Sequence, residues 1–129
     1  MNDSKNNQQD LMLEAVNQAA QHGSELQRLC GGLSQLLRAG RQEEAMDQLR
    51  LLLNGLGAIA QAVHLTTPLQ ERAGSSIDLQ DLSEMLRPIV GALENRDYVL
   101  LADLIQYEVH PLLANWTAEL QAISHGCSA

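Results

Sequence analysis

Residues 10–38 read DLMLEAVNQAAQHGSELQRLCGGLSQLLR. Met12, Val16, Ala19, Gly23, Leu26, Cys30, Leu33 and Leu37 recur there at alternating spacings of four and three, which places them along one side of a helix. At 1.5 Å per residue that helix is about 43 Å long. Gly23 and the pair Gly31-Gly32 weaken it, each glycine by about 1 kcal/mol relative to Ala. The phase survives across all three, so the reading is one helix, continuous or bent, from Asp10 to Arg38. Gly40 supplies its stop, since glycine takes the left-handed conformation past a helix end without penalty. Residues 1–9 are polar and rich in Asn and Gln and read as a disordered leader.

The same alternation resumes after Gly40. Ala45, Leu49, Leu52, Leu56, Ile59 and Val63 mark a second helix from Gln42 to Leu65, with Glu43, Glu44 and Asp47 near its positive end. Leu51, Leu53, Ala58, Ala60, Ala62 and Leu65 extend the apolar surface around most of its circumference. A helix apolar nearly all round belongs at the centre of a fold. Thr66-Thr67-Pro68 closes it, and a loop through Ala73-Gly74-Ser75-Ser76 follows.

A third helix starts near Asp78 as its N-cap, with Leu79, Leu82, Leu86, Ile89 and Leu93 in one stripe. Pro88 inside that stripe predicts a kink or break. Asn95-Arg96-Asp97 makes a tight connection, and a fourth helix runs from Tyr98 to Ser124. Leu101, Ile105, Leu112, Trp116 and Ile123 share its inner side, and Pro111 predicts a bend that frees the carbonyl of Tyr107. Residues 125–129 read as a frayed tail. No segment alternates with period two for long. The expected fold is therefore all-α: an antiparallel up-down four-helix bundle over residues 10–124, with a long first helix.

The whole chain has 129 residues, enough for one domain with a hydrophobic core. Apolar residues are 45% and charged residues 19%, which excludes a disordered tail. No run reaches the roughly 18 apolar residues of a membrane span, and the N-terminus lacks the basic start and apolar run of a signal peptide. Acidic residues outnumber basic ones 16 to 8, for a net charge of −8, the wrong sign for gripping phosphates. Neither a nucleic acid nor a membrane is an expected partner. Cys30 and Cys127 form neither a disulfide framework nor a metal spacing, and fit a reducing cytoplasm.

Chemistry-bearing motifs are scarce. A di-metal bundle needs Glu-x-x-His on two helices. Glu108-Val109-His110 has the wrong spacing, and His22, His64, His110 and His125 lie one per region. Histidine phosphotransfer domains share the size and acidity, but place a lysine and a glycine soon after their histidine. His22-Gly23-Ser24 and His64-Leu65-Thr66 lack that lysine, the chain's single one being Lys5. Cys30 lies in the apolar stripe as a small hydrophobe, and no nucleophile elbow or phosphate loop occurs. No cofactor, metal or catalytic residue is assigned, and the chain reads as non-enzymatic.

One polar cluster stands out. Glu108 falls three and four residues from Leu104, Ile105 and Leu112, on the predicted apolar side, where a bare carboxylate is costly. Two readings follow. Asp103, Tyr107, Glu108 and His110 form a recognition patch at the proline bend, or Glu108 accepts hydrogen bonds from an arginine or a helix N-terminus for architecture.

Asp97-Tyr98-Val99, Ala102-Asp103, Tyr107-Glu108 and Pro111 together resemble a pattern in small, uncharacterised all-helical cytosolic proteins of Gram-positive bacteria. Some of these are associated with motility or flagellar gene neighbourhoods. The resemblance covers the last third of the chain and implies a small helical bundle, with no catalytic residues to carry over.

The expected function is protein–protein interaction, first of all self-association. The first helix is longer than the others, so Met12, Val16 and Ala19 are expected to overhang the bundle as an apolar interface, which a two-fold homodimer would cover. The alternative is an export or assembly chaperone whose groove holds an amphipathic segment of a protein client. A histidine phosphotransfer module is third.

Overall fold

The computed structural model describes the backbone of residues 2–75 and 77–128 and the side chains of 7–75 and 77–126. The protein is all-helical, with no strand among the described residues. Helix α1 spans Asn2–Arg38, α2 Gln42–Leu65, α3 Thr67–Arg72 and α4 Gln80–Glu94. Helix α5, Tyr98–Leu104, passes through a π turn at Ile105–Val109 directly into α6, His110–Ser128, so these three make one rod.

Helix α1 is unbroken through Gly31-Gly32, as the surviving apolar phase implies. It also begins earlier than expected. Its backbone is helical from Asn2, where the polar composition predicts a disordered leader, and Met1 lies outside the described residues. At the other terminus the α6 backbone is helical to Ser128, and Ala129 lies outside the described residues. Gly40 has φ +75°, the left-handed stop predicted for it. Asp97 caps α5 by accepting a hydrogen bond from the Leu100 N–H at 3.1 Å.

One segment read as loop is helical. In α3, Pro68 stands in the first turn, where its missing N–H costs nothing and its fixed φ favours the helix. Thr66 Oγ1 donates to the Ala62 carbonyl at 2.7 Å. The Gln70 amide donates to the Val63 carbonyl at 2.6 Å and to Thr66 Oγ1 at 3.1 Å. These bonds satisfy the end of α2 and let Gln70 be buried beside Leu69. Pro88, where a kink or break is predicted, lies within an uninterrupted α4.

The core is one cluster drawn from every helix. Its centre is α1, which packs against α2, α5, the π turn and α6. This corrects the expectation for α2. The α2 side bearing Ala45, Leu49, Leu52, Leu56, Ile59 and Val63 is buried, but Leu51 and Leu65 on its outer side are 56% and 61% exposed. The physical reason is close approach on the inner side. Leu26 and His22 of α1 lie where a Cβ on Gly55 of α2 would come within 2.7 Å and 2.9 Å of them. Helix α1 therefore covers that side of α2 and leaves the other bare.

The predicted overhang is also corrected. Val16 is fully buried, Ala19 is 5% exposed and Met12 packs against the core. The rod running through α6 reaches this stretch of α1: the Ser124 hydroxyl is hydrogen-bonded to Asn17 Oδ1. At the other end Arg38 donates to Asp103 at 2.7 Å and to Gln106 at 3.0 Å.

Candidate functional site

The candidate polar cluster is reorganised by the π turn. Pro111 has no N–H to offer the Tyr107 carbonyl, and its ring would strike that carbonyl in a regular helix. The helix widens by one residue instead, and the His110 N–H donates to the Ile105 carbonyl, five residues back. Inward positions then run Leu101, Ile105, Val109 and Leu113, all fully buried. This is a spacing of four, four and four. A regular helix would have returned to the core at position 108.

Glu108 is consequently exposed, which corrects its predicted place on the apolar side. Solvated, its carboxylate needs no structural partner, so the architectural reading of Glu108 as an acceptor buried in the core falls. The π turn also divides the four residues between two surfaces. Asp103 is held by Arg38, while Tyr107 and His110 border a groove of about 590 Å3 with Cys30, Ser34 and Arg38 of α1. Glu108 faces α4 across a different groove, with Asp81 and Glu84.

In the α1-side groove Ser34 and Arg38 are hydrogen-bonded within the chain. Ser34 Oγ donates to the Gly31 carbonyl at 3.1 Å, and Arg38 is taken up by Asp103 and Gln106. That ion pair is about half exposed on both sides, so it positions the helices and adds at most about 1 kcal/mol. Cys30 is 1% exposed, and burial pushes its thiol up from 9.0 to about 11. A neutral thiol is favoured in the fold, so this contribution is fully present below pH 9 and is lost as pH rises through about 11. At pH 8 only about one such thiol in a thousand is ionised. In a Cys127→Ser background, Cys30 is therefore expected to resist a thiol reagent at pH 8 and to react fully in denaturant. Rapid labelling of the native protein would contradict this burial.

Helices α1 and α2 present a third surface. Ala15, Gln18 and His22 of α1 and Ala58 and Ala62 of α2 line a shallow groove of about 220 Å3 between the two helices. Leu11, 65% exposed, lies one turn before Ala15, and Leu65 lies one turn after Ala62. From residue 51 to 65 helix α2 carries no Asp, Glu, Lys or Arg. Sequence reasoning missed this surface because it assigned the same residues to the core. The absence of charge over fifteen positions was its legible signal.

Among the described residues, no group of three His, Cys, Asp or Glu side chains is placed to hold a metal ion, and no helix is long and apolar enough to cross a membrane. A family model described as a domain of unknown function (DUF8042) matches residues 14–119. No curated protein and no solved structure matches the chain.

Proposed function

The chain belongs to the DUF8042 family, and on the surfaces just described we propose that it is a non-enzymatic cytoplasmic protein that acts by binding protein, first a second copy of itself. Its helices α1, α2, α4 and the α5–α6 rod act as an antiparallel bundle, a reading supported for α1 and the rod by Ser124 meeting Asn17 near the middle of α1 and Asp103 meeting Arg38 at its C-terminal end. The unpaired, buried thiol of Cys30 suits a reducing compartment.

The observation that carries self-association is the uncharged outer side of α2. In a chain of net charge −8, two copies repel each other over most of their surface. Between Leu51 and Leu65 that repulsion is lowest. The small side chains of Ala15, Ala58 and Ala62 let a partner helix come close, and Leu11 and Leu65 add exposed apolar area at the edge. An isologous two-fold contact covers both copies of such a face at once.

Light scattering coupled to size-exclusion chromatography tests this. The 14.1 kDa chain is expected to elute at twice that mass at concentrations of tens of micromolar. An Ala58→Glu/Leu65→Glu variant, changed at two exposed positions, is expected to elute at the single-chain mass with an unaltered helical spectrum. A single-chain mass for the parent protein, or a doubled mass for the variant, would refute the proposal.

A further inference from the structure

Helix α4 and the α5–α6 rod leave between them a groove of about 390 Å3. Its floor is apolar, made by Met85 and Pro88 of α4 and by Leu104 and Leu112 of the rod; its rim carries Asp81, Glu84 and Glu108. The rod contributes every fourth residue, 104, 108 and 112, so it borders the groove as one straight ridge.

Asp81 has a local explanation in the first turn of α4, where it complements the helix dipole. Glu84 and Glu108 have none. Both are exposed, and among the described residues neither is in an ion pair and no basic side chain lines the groove. Nor, among the described residues, is any group of three or more His, Cys, Asp or Glu placed to hold a metal ion.

We infer that this groove docks a helical segment of another protein, apolar on one face and flanked by lysine or arginine. The floor takes the apolar side chains, with Met85 adaptable in shape. The rim supplies charge complementarity, which governs rate and register of docking. A second copy of the chain is the poorer occupant, because at net charge −8 it would bring like charge to an acidic rim. The groove shares no residue with the α1–α2 face, so either surface can fail without the other.

Fluorescence anisotropy on the full chain tests the inference with two labelled amphipathic helical peptides of identical apolar pattern, one Leu/Lys and one Leu/Glu. The Leu/Lys peptide is expected to bind and the Leu/Glu peptide to bind at least about tenfold more weakly. Glu84→Gln/Glu108→Gln, at exposed positions that leave the fold intact, is expected to weaken Leu/Lys binding about tenfold at low salt, and less at high salt. Glu43→Gln/Asp47→Asn removes the same charge from exposed positions on α2 and is expected to change affinity less than about twofold. Failure of the Leu/Lys peptide to bind, equal binding of both peptides, or equal loss in the two variants would overturn the inference. So would a change in the mass of the chain on Glu84→Gln/Glu108→Gln, which would make a second copy the occupant.

Discussion

Val16→Asp is expected to cost the protein its folded state, with a loss of at least about 4 kcal/mol. Val16 is fully buried in the single chain. An aspartate there is an unpaired charge removed from water, or a protonated carboxyl without a hydrogen-bond partner, and both are among the costliest changes a core accepts. Stabilities of about 5–15 kcal/mol leave little margin for it. The comparison that makes the result informative is Val99→Asp, at a position 69% exposed and outside both proposed docking surfaces. It is expected to move stability by less than about 0.5 kcal/mol. Thermal melts followed by circular dichroism separate the two cases. If Val16 instead lay on an overhanging interface, Val16→Asp would melt like the parent and only lose its partner, and that outcome would refute the burial of Val16 within the single chain.

The second large effect lies where α1 crosses α6. Gly23 is buried, and a Cβ on it would collide with Thr117 Oγ1. Thr117 is 4% exposed and its hydroxyl has no hydrogen-bond partner among the described residues. Its β-branched side chain has few alternative rotamers to retreat to. Gly23→Ala is thus expected to destabilise the protein by about 2 kcal/mol, overpacking outweighing the roughly 1 kcal/mol that alanine gains in helix propensity. At this chain length that lowers the melting temperature by about 6 °C.

Thr117→Ala alone deletes an unsatisfied buried hydroxyl together with a methyl group, and these opposing terms leave it within about 1 kcal/mol of the parent. The double variant Gly23→Ala/Thr117→Ala is then expected to recover most of the loss, with a coupling of at least about 1 kcal/mol. The remaining atom in the way, Thr117 Cβ, stands 3.4 Å from the new methyl position, an ordinary contact. Additive behaviour in the cycle would mean that the two helices do not meet at this pair.

Helices α1 and α2 show how far periodicity carries. Val16, Ala19, Leu26, Cys30, Leu33 and Leu37, and all six positions of the predicted α2 stripe, are buried, because a regular helix converts spacing directly into facing. The method fails where the helix is not regular. At the π turn one extra residue advances the phase, so Val109 replaces Glu108 at the core. The sequence held a hint in Leu101, Ile105, Val109 and Leu113 spaced by fours with Pro111 behind them, but a reading committed to alternation passes over it. In α4 the buried stripe includes Met85 and Ala92, with Leu79, Leu86 and Leu93 only partly buried, since several apolar residues compete for one contact with α5.

Charge and composition by themselves determined an acidic, helix-forming chain with one continuous first helix, because those are properties of local spacing and propensity. Which apolar surface would be covered was decided only by tertiary structure. Burial depends on what a distant segment brings: α2 lies beside Ala19 and α6 beside Asn17 and Ala20, whereas among the described residues Leu51 and Leu65 are left exposed. The grooves follow from the same cause. Asp81, Glu84 and Glu108 are separated in sequence by up to 27 positions, and only the packing of α4 beside the α5–α6 rod sets them around one apolar floor.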